Sequence, residues 1–149
     1  MGRANTVPRE LIEKLRIFAK RLVEANLGLR AVILFGSYAR GDWLRDSDVD
    51  VLIVAEGFRN RPFYEREYMV SRFWSFEYAL EPWCYTPEEL EEVLRGRPRI
   101  NVVDALENGI VVYDDGFWER VKSRYSTRPC RMTWYGGIAL EDNGCGAQC

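Results

Sequence analysis

The chain has 149 residues, a net charge of −2 and 47% apolar content, the size and balance of one domain that can bury a core without disulfide staples. It contains no histidine, which excludes Ser-His-Asp and Cys-His catalysis, His-ligated zinc and phosphohistidine intermediates. Chemistry must therefore run on carboxylates, hydroxyls, Arg, Lys or a bound metal. No run of about 18 apolar residues and no apolar signal segment occur, so a cytoplasmic location is expected.

Charge is uneven along the chain. Residues 1–45 carry nine Arg or Lys and four Asp or Glu, a net of +5, and the remainder carries −7. The basic third suits either an anionic ligand or a solvated helix face. Of the four cysteines, Cys84 falls in an apolar stretch and reads as a core residue. Cys130, Cys145 and Cys149 lie near the end without a CxxC pair, which argues against a zinc site.

The apolar positions Leu11, Ile12, Leu15, Phe18, Ala19, Leu22 and Val23 predict an amphipathic helix from Pro8 to about Ala25, with Thr6 as its N-cap. Arg30 to Phe35 reads as a buried strand stopped by Gly36, and Val49 to Val54 as a second. Gly57 to Arg61 is a turn, and Pro62 to about Phe76 reads as an aromatic-rich helix. Tyr78 to Tyr85 is a third strand in which Pro82 requires an edge position or a bulge. Thr86-Pro87-Glu88-Glu89 is a capping box that opens a helix ending near Gly96. A helix over Ile100 to Asn108, a strand over Ile110 to Tyr113 and a helix over Phe117 to Tyr125 complete a domain at residues 1–128. Residues 129–149, rich in glycine and cysteine, read as a loosely attached tail. The fold class is α/β (α+β), a small mixed sheet packed by helices.

The chemistry concentrates between Leu34 and Ile53. Asp48 and Asp50 stand at i and i+2 and project from one face of a strand. Two close carboxylates repel, and a hard divalent cation, magnesium or manganese, relieves that repulsion. Gly36 directly after a buried strand allows a sharp turn, and a helical turn opened by Ser37 aims free N–H groups at a phosphate. The alternatives are a plain Gly-Ser turn and two solvent-facing acids. Gly36 and Gly41 have P-loop spacing, but Asp42-Trp43 stand where Lys and Ser or Thr are required, and no GxGxxG is present. Arg40 suits a phosphate contact or an ordinary surface salt bridge. Trp43 reads as a plug on the core rather than a ring beside a nucleotide. The aromatic group Phe73, Trp74, Phe76, Tyr78 and Trp83 reads as core.

Gly36-Ser37, ten intervening residues, and then Asp48-x-Asp50 resemble the signature of the DNA polymerase beta-type nucleotidyltransferase superfamily. Arg40-Gly41 and Ser47 before Asp48 are similar to its minimal, antitoxin-like members (MNT domains). The resemblance is anchored in residues 31–54. It implies a nucleotidyltransferase fold in which Asp48 and Asp50 hold two magnesium ions, with manganese as a substitute, and Gly36 and Ser37 bind the β- and γ-phosphates of ATP or another NTP. It also implies a third carboxylate on a later strand that completes the metal site; Glu81 resembles that residue and Glu77 is the alternative. Minimal members resemble antitoxins that pair with a HEPN-type helical protein and transfer AMP to it. The chain's length leaves no room for the large substrate domain of a polymerase, so a protein acceptor is expected and a nucleic acid is not. A homodimer through the aromatic surface is compatible with this reading. The competing reading is a catalytically silent binding module of the same fold that neutralises a partner.

Overall fold

The computed structural model describes residues 6–127, together with the backbone of residues 132–135 and 138–141. Helix α1 (Arg9–Glu24) buries Leu11, Leu15, Phe18, Ala19 and Leu22, the stripe that the helical period selects. Its N-cap is Pro8 rather than Thr6, and the Pro8 carbonyl accepts the first bonds, from Leu11 N at 3.0 Å and Ile12 N at 3.3 Å. The chain leaves α1 through Asn26 at φ +57° and enters β1 (Leu29–Phe35). A short helix α2 (Gly36–Arg40) follows, then a loop, then β2 (Val49–Ala55). A 3-10 turn (Glu56–Phe58) and α3 (Phe63–Ser71) cross over to β3 (Leu80–Tyr85). Helices α4 (Pro87–Leu94) and α5 (Ile100–Asn108), strand β4 (Ile110–Asp114) and helix α6 (Phe117–Ser126) complete the domain.

The sheet order is β3-β2-β1-β4; β2 and β3 run parallel, and the other pairs are antiparallel. The central strands β1 and β2 are almost wholly buried, because helices cover both faces. Val32, Leu34, Val51 and Ile53 pack against α1 and α3 on one face. Ala31, Ile33, Leu52 and Val54 pack against α4, α5 and α6 on the other, around Trp118. Pro82 sits in β3 at the edge of the sheet, where its missing N–H costs no ladder bond. Cys84 is buried, and burial pushes its thiol pKa up.

Helix α3 stops at Ser71 rather than near Phe76. The bonds Phe73 N to Val70 O and Trp74 N to Ser71 O, each 3.0 Å, tighten and end it. Packing decides this: Trp74 sets its ring edge-on to Phe18, with centroids 5.3 Å apart, and donates its indole N–H to Tyr78 O at 2.7 Å. A continued helix would not satisfy that donor. The capping box forms as the sequence requires, with Glu89 N donating to Thr86 Oγ1 at 3.3 Å and Thr86 N to Glu89 Oε1 at 2.7 Å. Of the segment 129–149, β5 (Met132–Tyr135) and β6 (Ile138–Glu141) form an antiparallel pair; its cysteines and the rest of it lie outside the described residues. Among the described residues, no helix is long and apolar enough to cross a membrane.

Arg66 ties α3 to the edge of the sheet. It is 7% exposed and donates to Arg61 O at 2.8 Å, Cys84 O at 3.0 Å and Glu89 Oε1 at 2.7 Å. Arg66→Ala leaves the Arg61 and Cys84 carbonyls without this donor and removes a cation from Glu89, which keeps its bond from Thr86 N, and the expected loss is about 1–3 kcal/mol in urea unfolding, on the scale of unsatisfied buried polar groups.

Candidate active site

The site lies where β1 ends and β2 begins. Val49 and Val51 turn into the core beneath α1, so strand alternation sends Asp50 to the opposite face, and Asp48, one residue before β2, lies close enough for its charge to act on Asp50. Asp48 is exposed and Asp50 is half-buried. The loop before them is closed by Ser47, whose hydroxyl accepts from Leu44 N at 2.8 Å while its own N–H donates to Leu44 O at 3.0 Å. Val49 N donates to Ala79 O at 2.7 Å and docks the start of β2 beside β3. Trp43 is the expected plug: it packs on the core and stacks on Tyr38, with centroids 5.2 Å apart and 18° between planes.

Gly36 is set by the site rather than by the turn alone. Its φ is +73°, and a Cβ there would lie 2.2 Å from Asp50 Oδ2 and 2.9 Å from Asp50 Cγ. The missing side chain is the space that the Asp50 carboxylate fills. Phe35, the residue before it, pairs with Asp50 across β1 and β2. Ser37 follows in the first turn of α2, where helix N–H groups have no intrahelical acceptor.

Glu81 is the register partner of Asp50 across the parallel pair β2 and β3. Desolvation first, then hydrogen bonding with Glu81 and its charge, push the Asp50 pKa from 3.8 up to about 7, with Asp48 adding to the rise. The buried Trp83 indole nitrogen makes no hydrogen bond of ordinary geometry, yet its N–H lies near enough to Asp50 to favour the charged form. Trp83 stands two residues beyond Glu81, on the same strand face. That alternation was available in the sequence.

The structure does not bring Glu77 to this cluster. Glu77 is exposed in the loop before β3 and lines a cleft of about 340 Å³ on the α1 side of the sheet, with Lys14, Tyr38, Asp46 and Tyr78. Arg40 lies at the end of α2 and is held by Asp104 of α5 at 2.8 Å and, loosely, by Asp42 at 3.5 Å. Asp104 also accepts from Asn108 Nδ2 at 2.9 Å. Sequence reasoning missed Asp104, because nothing local couples residues 64 positions apart.

Among the described residues, no three acidic, imidazole or thiol groups are already drawn into a closed metal cage. The donor chemistry nevertheless fits a hard divalent cation. Every candidate ligand is a carboxylate oxygen, and burial with the neighbouring charges of Glu81 and Asp48 raises the Asp50 pKa, a rise that a nearby cation would oppose.

A family model described as a nucleotidyltransferase domain matches residues 12–112, which span every element of this site. The chain belongs to that family. Two proteins of Methanocaldococcus jannaschii resemble it locally. "Putative protein adenylyltransferase MJ0604" is 57% identical over 28 residues, 19% of this chain and 28% of that protein. "Putative protein adenylyltransferase MJ0141" is 50% identical over 48 residues, 32% of this chain and 48% of that protein. The chain thus spans less than half the length of either relative. A crystal structure described as a putative nucleotidyltransferase from Sulfolobus solfataricus superposes with a TM-score of 0.51 at 24% identity, covering 71% of this chain and 82% of that one. The shared nucleotidyltransferase fold, a mixed sheet packed by helices, is what that likeness carries.

Two outcomes follow from the geometry. Gly36→Ala is expected to cost about 1–3 kcal/mol in backbone strain alone and to displace Asp50; urea unfolding and the Asp50 side-chain NMR signals read both effects. Because the folded Asp50 pKa lies above its unfolded value, its contribution to stability is complete below about pH 4 and is lost as pH rises through about 7. Protein kept in EDTA should therefore lose melting temperature between pH 5 and pH 8, and Asp50→Asn should flatten that slope.

Proposed function

We propose that this chain transfers a nucleoside monophosphate, AMP from ATP, to a hydroxyl group on a partner protein, using magnesium held by Asp48, Asp50 and Glu81. The observation that carries the reading is the Asp50–Glu81 register pair, with Gly36 against the Asp50 carboxylate and the Asp48 charge near enough to act on it. A family domain with this arrangement of acids suits in-line displacement at the α-phosphorus. The acceptor oxygen forms a bond to that phosphorus, the bond to the bridging oxygen of the β-phosphate breaks, and pyrophosphate leaves. Magnesium, when bound, supplies the positive charge that offsets the entering and leaving oxygens.

The chain's own residues do the rest. Asp48 and Asp50 present oxygen ligands from one strand face, and Glu81 adds a third from the neighbouring strand and takes the acceptor's proton. The Gly36–Ser37 amides and the Ser37 hydroxyl receive the terminal phosphates, since the opening of α2 leaves its donors free. Arg40, steadied by Asp104, adds positive charge at the far end of α2. No step needs histidine.

A protein acceptor is supported by the names of the two M. jannaschii relatives, both called protein adenylyltransferases. The likeness of the Gly36–Asp50 segment to minimal, antitoxin-like transferases supports a helical HEPN-type partner, met in the cytoplasm where ATP is available. The test supplies purified protein with that partner, ATP and magnesium, and reads pyrophosphate release and labelled partner. Asp48→Asn, Asp50→Asn and Glu81→Gln should each reduce both signals by about 10³-fold or more, the scale expected when preorganised charge at the reacting centre is lost. Manganese should substitute for magnesium and calcium should not. Pyrophosphate release that survives Asp50→Asn would contradict the assignment. Partner binding that survives without any pyrophosphate release from the native chain would favour the silent binding module.

A further inference from the structure

The two edges of the sheet are treated differently. At β3, Pro82 removes a ladder donor, the Arg66 guanidinium occupies the Cys84 carbonyl, and α3 packs alongside. At β4 nothing comparable is present among the described residues. Its sequence, Ile110-Val-Val-Tyr-Asp114, contains no proline, lysine or arginine, and among the described residues its only strand neighbour is β1. Val111 is 47% exposed. Such an edge leaves a row of backbone N–H and C=O groups able to accept one more strand.

Beside that edge runs a groove of about 310 Å³ between α1 and β4, lined by Arg16, Ala19, Lys20, Val23, Val112 and Tyr113. Arg16 and Lys20 are one helical turn apart and exposed, and among the described residues neither meets a carboxylate. Val23, 42% exposed, continues the floor. The backbone edge asks for an extended segment, the apolar floor for alternate aliphatic side chains, and the two cations for acidic ones. A second copy of this chain fits less well, because two-fold pairing through β4 would set two such basic stripes side by side.

We infer that β4 and the Arg16–Lys20 face of α1 form a docking edge for an extended acidic peptide segment of a partner protein, which adds to the sheet as a fifth strand. Main-chain bonds to β4 supply the geometry, and carboxylates over Arg16 and Lys20 select the sequence. This surface is distinct from the carboxylate site, so its occupant is bound rather than modified there.

The probe is a short acetylated peptide alternating valine and glutamate, compared with its valine–lysine counterpart, titrated into the full chain. The acidic peptide should bind and slow amide exchange at Val111 to Tyr113, and the basic peptide should not bind. The double variant Arg16→Glu with Lys20→Glu, both surface changes, should weaken the acidic peptide by about tenfold or more and let the basic peptide bind, with the melting temperature unchanged. Equal binding of both peptides, binding without protection of β4, or a concentration-dependent dimer that protects β4 in the absence of peptide would each overturn the inference.

Discussion

Two carboxyl groups are held side by side across a parallel strand pair, under a residue that must have no side chain. Asp50 and Glu81 are register partners, and Asp50 Oδ2 occupies the space where a Cβ on Gly36 would lie, at 2.2 Å. Left to themselves, these groups resolve their repulsion with a proton, which is why burial and Glu81 lift Asp50 to about 7. A divalent cation resolves it in another way, and the proposed chemistry depends on that exchange. The structure around the pair can be read as the means of keeping it in place.

Parallel pairing is the expensive part of that arrangement, since β3 can reach β2 only through a crossover. Arg66 locks the crossover by bonding the N-terminal half of α3 to Cys84 O in β3 and to Glu89 in α4. Glu89 in turn caps its own helix through Thr86. Trp74 pins the loop between α3 and β3 to Phe18 and to Tyr78 O. A slip of one residue in β3 would send Glu81 and Trp83 to the α1 face and Pro82 toward the acids. The buried network and the edge proline therefore serve the register as much as the stability of the domain.

Much of this was legible before the fold was known, because the motif is local. A buried strand, a Gly-Ser turn and two acids at i and i+2 are set by neighbours within twenty residues, and the capping box at Thr86 is wholly local. Glu81 could be named only through the family resemblance, which implies an acid on a later strand, with Glu77 as the alternative. What sequence reading missed depends on distant partners. Asp104 meets Arg40 and Arg66 meets Glu89 only after the chain has folded. Helix α3 was read too long because Phe73 and Trp74 satisfy the helical period yet are drawn into a core the sequence does not display. Thr6 lost the N-cap to Pro8, a shift of the kind that helix ends commonly show.

The central claim is that Asp48, Asp50 and Glu81 form one cation site beneath Gly36. Crystals grown with manganese and a non-hydrolysable ATP analogue test it most directly, because anomalous scattering locates the ion independently of activity. The account predicts manganese bound to oxygens of Asp48, Asp50 and Glu81, with the terminal phosphates on the Gly36–Ser37 amides. Manganese bound without Asp50 and Glu81, or a nucleotide seated away from Gly36, would contradict it.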